Sequence, residues 1–176
     1  IDGGFALPEA KSDVDWIDEN TLFVATDFGP GSLTESGYPR IIKRWRRGEP
    51  LAQAQTVFEG QAKDVSVFAS VDRTPGFERT IVGRSIDFYN TEQFLLQGDK
   101  LVKIDVPSDA QPRFWRDSLL LELRSDMTAN GHTFARGSLL VTNAEAFLKG
   151  EHRWQALFTP TATRSLAGYT ATRRTL

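Results

Sequence analysis

The sequence predicts an all-β fold, a partial β-propeller of about three four-stranded blades. Three observations carry that reading. Helical patterning is scarce along the chain. Short runs rich in β-branched and aromatic residues are separated by Gly, Pro, Asn and Asp turn signals. The strand pattern also restarts at a spacing of roughly 50 residues, the range of propeller blades. The same strand count fits a sandwich of about twelve strands, which stays open as the structural rival.

The first round is expected over residues 12–60. Val14-Asp15-Trp16-Ile17-Asp18 reads as a strand, and Glu19-Asn20 turns the chain into Thr21-Leu22-Phe23-Val24-Ala25-Thr26. Gly29-Pro30-Gly31 opens a polar loop to Pro39. Arg40-Ile41-Ile42-Lys43-Arg44-Trp45 and Gln55-Thr56-Val57-Phe58-Glu59 complete the unit.

A second round is expected over residues 64–108. Its runs are Val65-Ser66-Val67-Phe68-Ala69-Ser70, Arg79-Thr80-Ile81-Val82-Gly83-Arg84, Phe94-Leu95-Leu96-Gln97 and Lys100-Leu101-Val102-Lys103-Ile104. Gly98-Asp99 between the last two signals a tight hairpin, because Gly accepts the positive φ of a primed turn.

The third round, over residues 114–161, begins with Leu119-Leu120-Leu121-Glu122-Leu123. Asn130-Gly131 marks another tight hairpin. Ser138-Leu139-Leu140-Val141-Thr142 follows, then a short helix capped by Asn143 and stopped by Gly150. Trp154-Gln155-Ala156-Leu157-Phe158 closes the round.

The chain opens on Ile1-Asp2-Gly3-Gly4, with no initiator Met and no apolar signal core. Ser165-Leu166-Ala167-Gly168-Tyr169-Thr170 reads as the start of a further blade over residues 164–176. A piece of a longer protein is therefore expected. Terminal blades of a partial propeller lack neighbours for their apolar faces, so self-association is expected too.

Composition narrows the function classes. With 40% hydrophobic and 25% charged residues, the 176-residue chain suits a soluble globular domain. A formal net charge of -2 gives no global attraction to nucleic acid or to an anionic membrane, and neither partner is expected. The absence of cysteine excludes a disulfide frame and thiolate metal sites. It leaves the compartment open between cytoplasm and periplasm. No apolar run approaches the roughly 20 residues of a membrane helix.

No complete catalytic site is legible. The Gly-x-Ser-x-Gly nucleophile elbow is absent, and Gly83-Arg84-Ser85-Ile86-Asp87 lacks the second glycine. The two histidines, His132 and His152, follow turn residues and read as exposed loop positions. They match no common metal-ligand spacing, and no cofactor is expected. Asp13, Asp15 and Asp18 crowd one stretch, and Asp13 and Asp15 share a strand face. A polar face bordering a turn explains them more simply than a cation or sugar site. Gly29-Pro30-Gly31-Ser32 lacks the Lys and helix start of a phosphate loop. The basic run from Arg40 to Arg47 is best explained by cross-strand ion pairs. Trp16, Trp45, Trp115 and Trp154 read as packing residues between blades.

Longer stretches carry a family likeness. Pro8 to Trp16, Thr26 to Arg40, Val71-Asp72-Arg73-Thr74-Pro75-Gly76-Phe77-Glu78-Arg79 and Ser165-Leu166-Ala167-Gly168-Tyr169 resemble the propeller domain of bacterial prolyl oligopeptidase-family proteins. Asp27 to Arg40 is the most specific part. The resemblance implies a two-domain serine peptidase. An α/β-hydrolase domain would carry a Ser-Asp-His triad and cleave short peptides after proline. A seven-bladed propeller would restrict entry to that site. The triad would lie outside this chain, whose partners would be the hydrolase domain, the remaining blades and short peptides. No catalytic residue carries over. In a propeller the first strand of each blade lines the channel, which marks the runs near Ser12 to Ile17, Val65 to Ser70 and Leu119 to Leu123. Asp13, Asp15, Ser66 and Ser70 are the channel-lining candidates. A stand-alone binding propeller and a propeller glycosidase with two carboxylates are the rival functions.

Overall fold

The computed structural model describes residues 3–172. It is all-β, with one short helix and one turn of 3-10 helix among the described residues. The chain divides into two compact units, Ile1–Ile104 and Asp105–Leu176.

The first unit holds two four-stranded antiparallel meanders. The first sheet runs β1 (Asp13–Asp18), β2 (Thr21–Ala25), β3 (Ile41–Arg46) and β4 (Gln55–Glu59). The second runs β5 (Ser66–Asp72), β6 (Arg79–Ser85), β7 (Thr91–Gln97) and β8 (Lys100–Lys103). In each, strand order equals chain order, and the first and last strands are the edges.

The strand β2 shows why the first sheet needs cover on both sides. Its apolar run buries Leu22 and Val24 on one face and Phe23 and Ala25 on the other. A strand that alternates apolar residues to both faces belongs inside a sheet that is packed twice. On one face, Phe23, Ala25, Ile42 and Phe58 join Val67 and Val82 of the second sheet in a common core, flanked by Ala69, Val71, Phe94 and Leu96. On the other face, Leu22, Val24 and Trp45 are covered by Phe5 and Leu7 of the N-terminal segment and by Phe28 and Leu51. Phe5 meets Trp45 edge-on at 4.8 Å.

The second unit holds a four-stranded sheet of β9 (Gln111–Trp115), β10 (Ser118–Glu122), β13 (Leu139–Asn143) and β14 (Gln155–Phe158). A separate hairpin, β11 (Met127–Ala129) and β12 (His132–Phe134), is inserted between its second and third strands. Helix α1 (Ala144–Leu148) sits between β13 and β14. The Asn143 side chain caps it, accepting from the Ala146 N–H at 2.9 Å. Met127, Ala129 and Phe134 of the hairpin pack with Leu121, Leu123, Leu140 and Trp154. Leu119, Leu120 and Leu121 are all fully buried.

Two expectations need correction. Leu119–Leu123 is not the first strand of its sheet, because β9 precedes β10 as the edge. The sequence hid β9 for two reasons. Pro112 lies within it, which only an edge strand tolerates. The following turn uses Arg116 at φ 53 instead of a glycine. Residues 165–172 form no strand; Trp115 donates its indole N–H to the Thr172 carbonyl at 3.1 Å. The remaining stretch of that expected blade, residues 173–176, lies outside the described residues.

Candidate functional site

The four channel-lining candidates lie on β1 and β5, each the first strand and one edge of its sheet in the first unit. They do not share one face. Asp13 is opposite Ala25 and Asp15 opposite Phe23, so both carboxylates lie on the face turned to the second sheet. Ser66 pairs with Ser85 and Ser70 with Ile81. That is the face of β5 opposite Val67, Ala69 and Val71, turned away from the first sheet.

Asp15 is fully engaged. One carboxylate oxygen accepts from the Val71 backbone N–H at 2.7 Å, and the other from Arg73 at 3.2 Å. Arg73 donates in turn to the Val71 carbonyl at 3.2 Å. The Asp15–Arg73 pair thus satisfies both outward backbone groups of Val71, on a strand edge that would otherwise be open to pairing. Asp13 is exposed at the start of β1, yet local desolvation pushes its carboxyl above the usual carboxylate range; the Val14 N–H opposes this and the neighbouring Asp15 charge adds to it. Asp18, the last residue of β1, closes on the turn that follows, accepting from the Asn20 N–H at 2.8 Å.

The sequence missed a second cluster. Asp64, 2% exposed, accepts from the Gln61 N–H at 2.6 Å and pairs with Arg84 at 2.9 Å. Arg84 also bonds Glu92, which pairs with Lys103 at 2.7 Å. Burial opposes the Arg84 charge, but its bonds to Glu92 and Asp64 outweigh it and raise its pKa. Lys103 first and Arg84 second hold Glu92 below the usual range. The Asp64 loop joins β4 to β5, and a lone Asp in a short connector gives no signal in sequence that it will be buried.

The loop Asp27 to Arg40 is stapled by its own side chains. The Ser32 hydroxyl accepts from the Phe28 N–H at 2.9 Å and contacts Asp27 and the Gly29 carbonyl. Thr34 donates to the Val65 carbonyl at 3.1 Å, and Val65 donates to the Ser85 carbonyl at 2.8 Å. In the basic run, Arg40 pairs with Glu59 and Arg44 with Asp99, while Arg47 bonds the Glu19 carbonyl.

Each histidine meets half of the expectation of an exposed loop position: His132 is exposed but in a strand, and His152 lies in a loop but is half-buried. His132 begins β12, exposed, with its ring 4.5 Å from that of Phe134. His152 is half-buried with its ring 4.7 Å from Phe147. Among the described residues no group of three or more His, Asp or Glu could hold a metal ion. No helix is long and apolar enough to cross a membrane.

Comparison with known proteins places this arrangement. No family model matches the chain. It is 36% identical over 183 residues to an uncharacterized peptidase of Sinorhizobium fredii, covering 98% of this chain and 25% of that protein. It is 28% identical over 171 residues to an uncharacterized peptidase of Rickettsia prowazekii, covering 92% of this chain and 23% of that protein. Among solved structures, a post-proline cleaving enzyme from Rickettsia typhi superposes with a TM-score of 0.82 at 29% identity, covering 92% of this chain. The chain is thus similar, over nearly its whole length, to part of peptidases that include a post-proline cleaving enzyme, in line with the resemblance to the prolyl oligopeptidase family that its sequence carries. It spans about a quarter of the length of the relatives it matches. Within the chain, the polar clusters around Asp15 and Asp64 tie strands and connectors together.

Proposed function

We propose that the three four-stranded sheets are blades of a β-propeller, and that the chain is a non-catalytic part of a prolyl-oligopeptidase-like serine peptidase. The observation that carries this reading is the match, at a TM-score of 0.82, to a quarter of a post-proline cleaving enzyme. The meander order and the restart of each sheet after roughly 50 residues support the propeller. Chemistry belongs to a Ser-His-Asp site elsewhere in the longer protein. There the serine attacks the carbonyl, the histidine moves its proton and the aspartate orients the histidine. This chain contributes selection by size: its inner strands β1 and β5 wall the path by which short peptides enter and from which folded protein is excluded.

The test uses the protein encoded by the whole reading frame. A short peptide containing proline is offered beside the same sequence inside a folded protein. Cleavage after proline of the peptide alone is the expected result. Equal cleavage of both would remove the gating role, and no cleavage after proline would remove the peptidase reading. The reading frame is also expected to encode a Gly-x-Ser-x-Gly elbow, with a later Asp and His, outside this chain. In the same protein, Ser70→Ala is expected to leave turnover of a two-residue substrate unchanged, since Ser70 only faces the path; a large loss of kcat would contradict a wall function.

A further inference from the structure

A groove between the inserted hairpin and the start of β14 is lined by aromatic rings and by positive charge. Its volume is about 380 Å³, at the small end of the range for ligand sites. One wall is β12, where the exposed His132 ring stands edge-on to Phe134 at 4.5 Å. The other is Trp154, whose indole is set by the Phe147 ring at 5.5 Å. Ala129 and Ala156 complete the lining, and their methyl groups leave room between the rings. The walls come from different elements but are tied together. The Asn130 amide at the hairpin turn donates to the His152 carbonyl, two residues before Trp154, at 2.7 Å. The groove is thus formed before anything enters it, and binding has little backbone left to order.

Its charge has one sign. Arg153 and His132 line it, and no carboxylate does. The ion pair of Arg153 with Glu151 is long, at 3.8 Å, and the Arg153 side chain is 86% exposed, so its guanidinium keeps donors for an incoming anion. The whole chain carries a formal net charge of -2, so the positive sign is local to this groove. Trp45 and Trp115 donate their indole N–H groups to backbone carbonyls, whereas that of Trp154 has no acceptor among the described residues. Aromatic-lined grooves recognise proline in extended peptides, because its fixed φ leaves little to order and its ring packs flat on an aromatic face.

We propose that this groove binds the carboxyl end of a peptide whose last residue is proline. The proline ring lies between His132 and Trp154, and the Trp154 N–H donates to the carbonyl of the residue before it. Arg153 and His132 hold the terminal carboxylate. Hydrolysis after proline adds water across the peptide bond, leaving the proline with a carboxylate and the next residue with an amine. The choice of ligand rests on the proposed cleavage after proline, which releases ends of this kind.

The test is fluorine NMR of the full-length protein labelled with fluorotryptophan. The Trp154 signal is identified by its loss in Trp154→Phe. Alanyl-proline is expected to shift that signal saturably, with a Kd of about 1 mM for a ligand of this size. Alanyl-proline amide, which lacks the charge, is expected to bind roughly tenfold more weakly, and alanyl-alanine to give no saturable shift. Arg153→Gln is expected to weaken the acid by roughly the same factor and to leave the amide unchanged. An unmoved Trp154 signal, equal affinity for acid and amide, or equal binding of alanyl-alanine would each overturn the proposal. A shift that Arg153→Gln leaves unaltered would also overturn it, by placing the dipeptide elsewhere. Cleavage after proline is measured on the same preparation. An active protein with an unmoved Trp154 signal sinks the groove alone, and the full pattern of shifts in an inactive protein sinks the peptidase reading alone.

Discussion

Asp64 is the residue whose loss should be felt most. It is almost completely buried and holds Arg84, which is itself 17% exposed. Removing one member of a buried ion pair leaves the other charge uncompensated, at a cost of about 3 kcal/mol. Asp64→Ala is therefore expected to lower the urea midpoint of the full-length protein markedly, while Asp99→Ala, which breaks the exposed Arg44 pair, should scarcely move it. Equal shifts would show that burial does not decide the matter.

The same network sets a pH dependence. The folded-state pKa of Glu92 lies below the ordinary 4.5, because Lys103 and Arg84 favour its charged form. A lowered carboxylate pKa means that the unfolded chain binds the proton more readily. The stabilisation is complete above pH 4.5 and is lost as pH falls through the lower folded value. Denaturation midpoints are expected to drop below that pH in the native protein and to drop less in a Glu92→Gln variant. Parallel curves would assign the acid sensitivity to other groups.

Among elements, the second sheet depends on a close approach. Gly83 lies at the centre of β6, opposite Phe68 on β5 and Gln93 on β7. A Cβ there would meet the Phe68 ring at 2.6 Å and clash with the Glu92 carbonyl, which is backbone and cannot rotate away. Gly83→Ala is expected to cost about 1–3 kcal/mol as overpacking, and Phe68→Leu in the same chain to recover part of it. A neutral Gly83→Ala would mean that β6 and β7 separate more easily than their register implies.

The inserted hairpin depends on backbone conformation instead. Asn130 and Gly131 both take positive φ, 51 and 74. Gly131→Val is expected to cost about 1–2 kcal/mol, because an L side chain is strained in that region. Hydrogen exchange should quicken in β11 and β12 and stay slow in β10, whose leucines are buried on both faces. Uniform loss of protection would join the hairpin to the sheet as one folding unit.

For the molecule as a whole, the chain taken by itself is expected to self-associate. Val14, Trp16, Phe88, Tyr89 and Leu157 expose large apolar surface. Light scattering should give a weight-average mass that rises with concentration, and the rise should weaken in Phe88→Ser with Tyr89→Ser. A monodisperse monomer at high concentration would refute it. The first sheet is better covered than a bare terminal blade would be, since Phe5 and Leu7 lie over Leu22, Val24 and Trp45.

Much of the architecture was legible in the order of residues. Alternating apolar runs announced the strands of the first two sheets. Gly98 and the Asn130-Gly131 pair announced hairpins, because positive φ demands particular residues. Asn143 announced the helix cap, because its side chain competes for a free backbone N–H. These signals are local, so sequence carries them directly. The edge strand β9 was hidden because neither Pro112 nor Arg116 follows the local rule.

What needed the tertiary structure is everything that depends on distance across sheets. Asp13 and Asp15 share a strand face in sequence, but only the packing of two sheets shows that Asp15 meets Val71 and Arg73, more than fifty positions later. Asp64 in a connector and Arg84 on a strand become partners only when the second sheet closes over the loop. The period of a strand fixes which residues share a face. Which face meets protein and which meets solvent is decided by the neighbouring sheet, and no single strand carries that information.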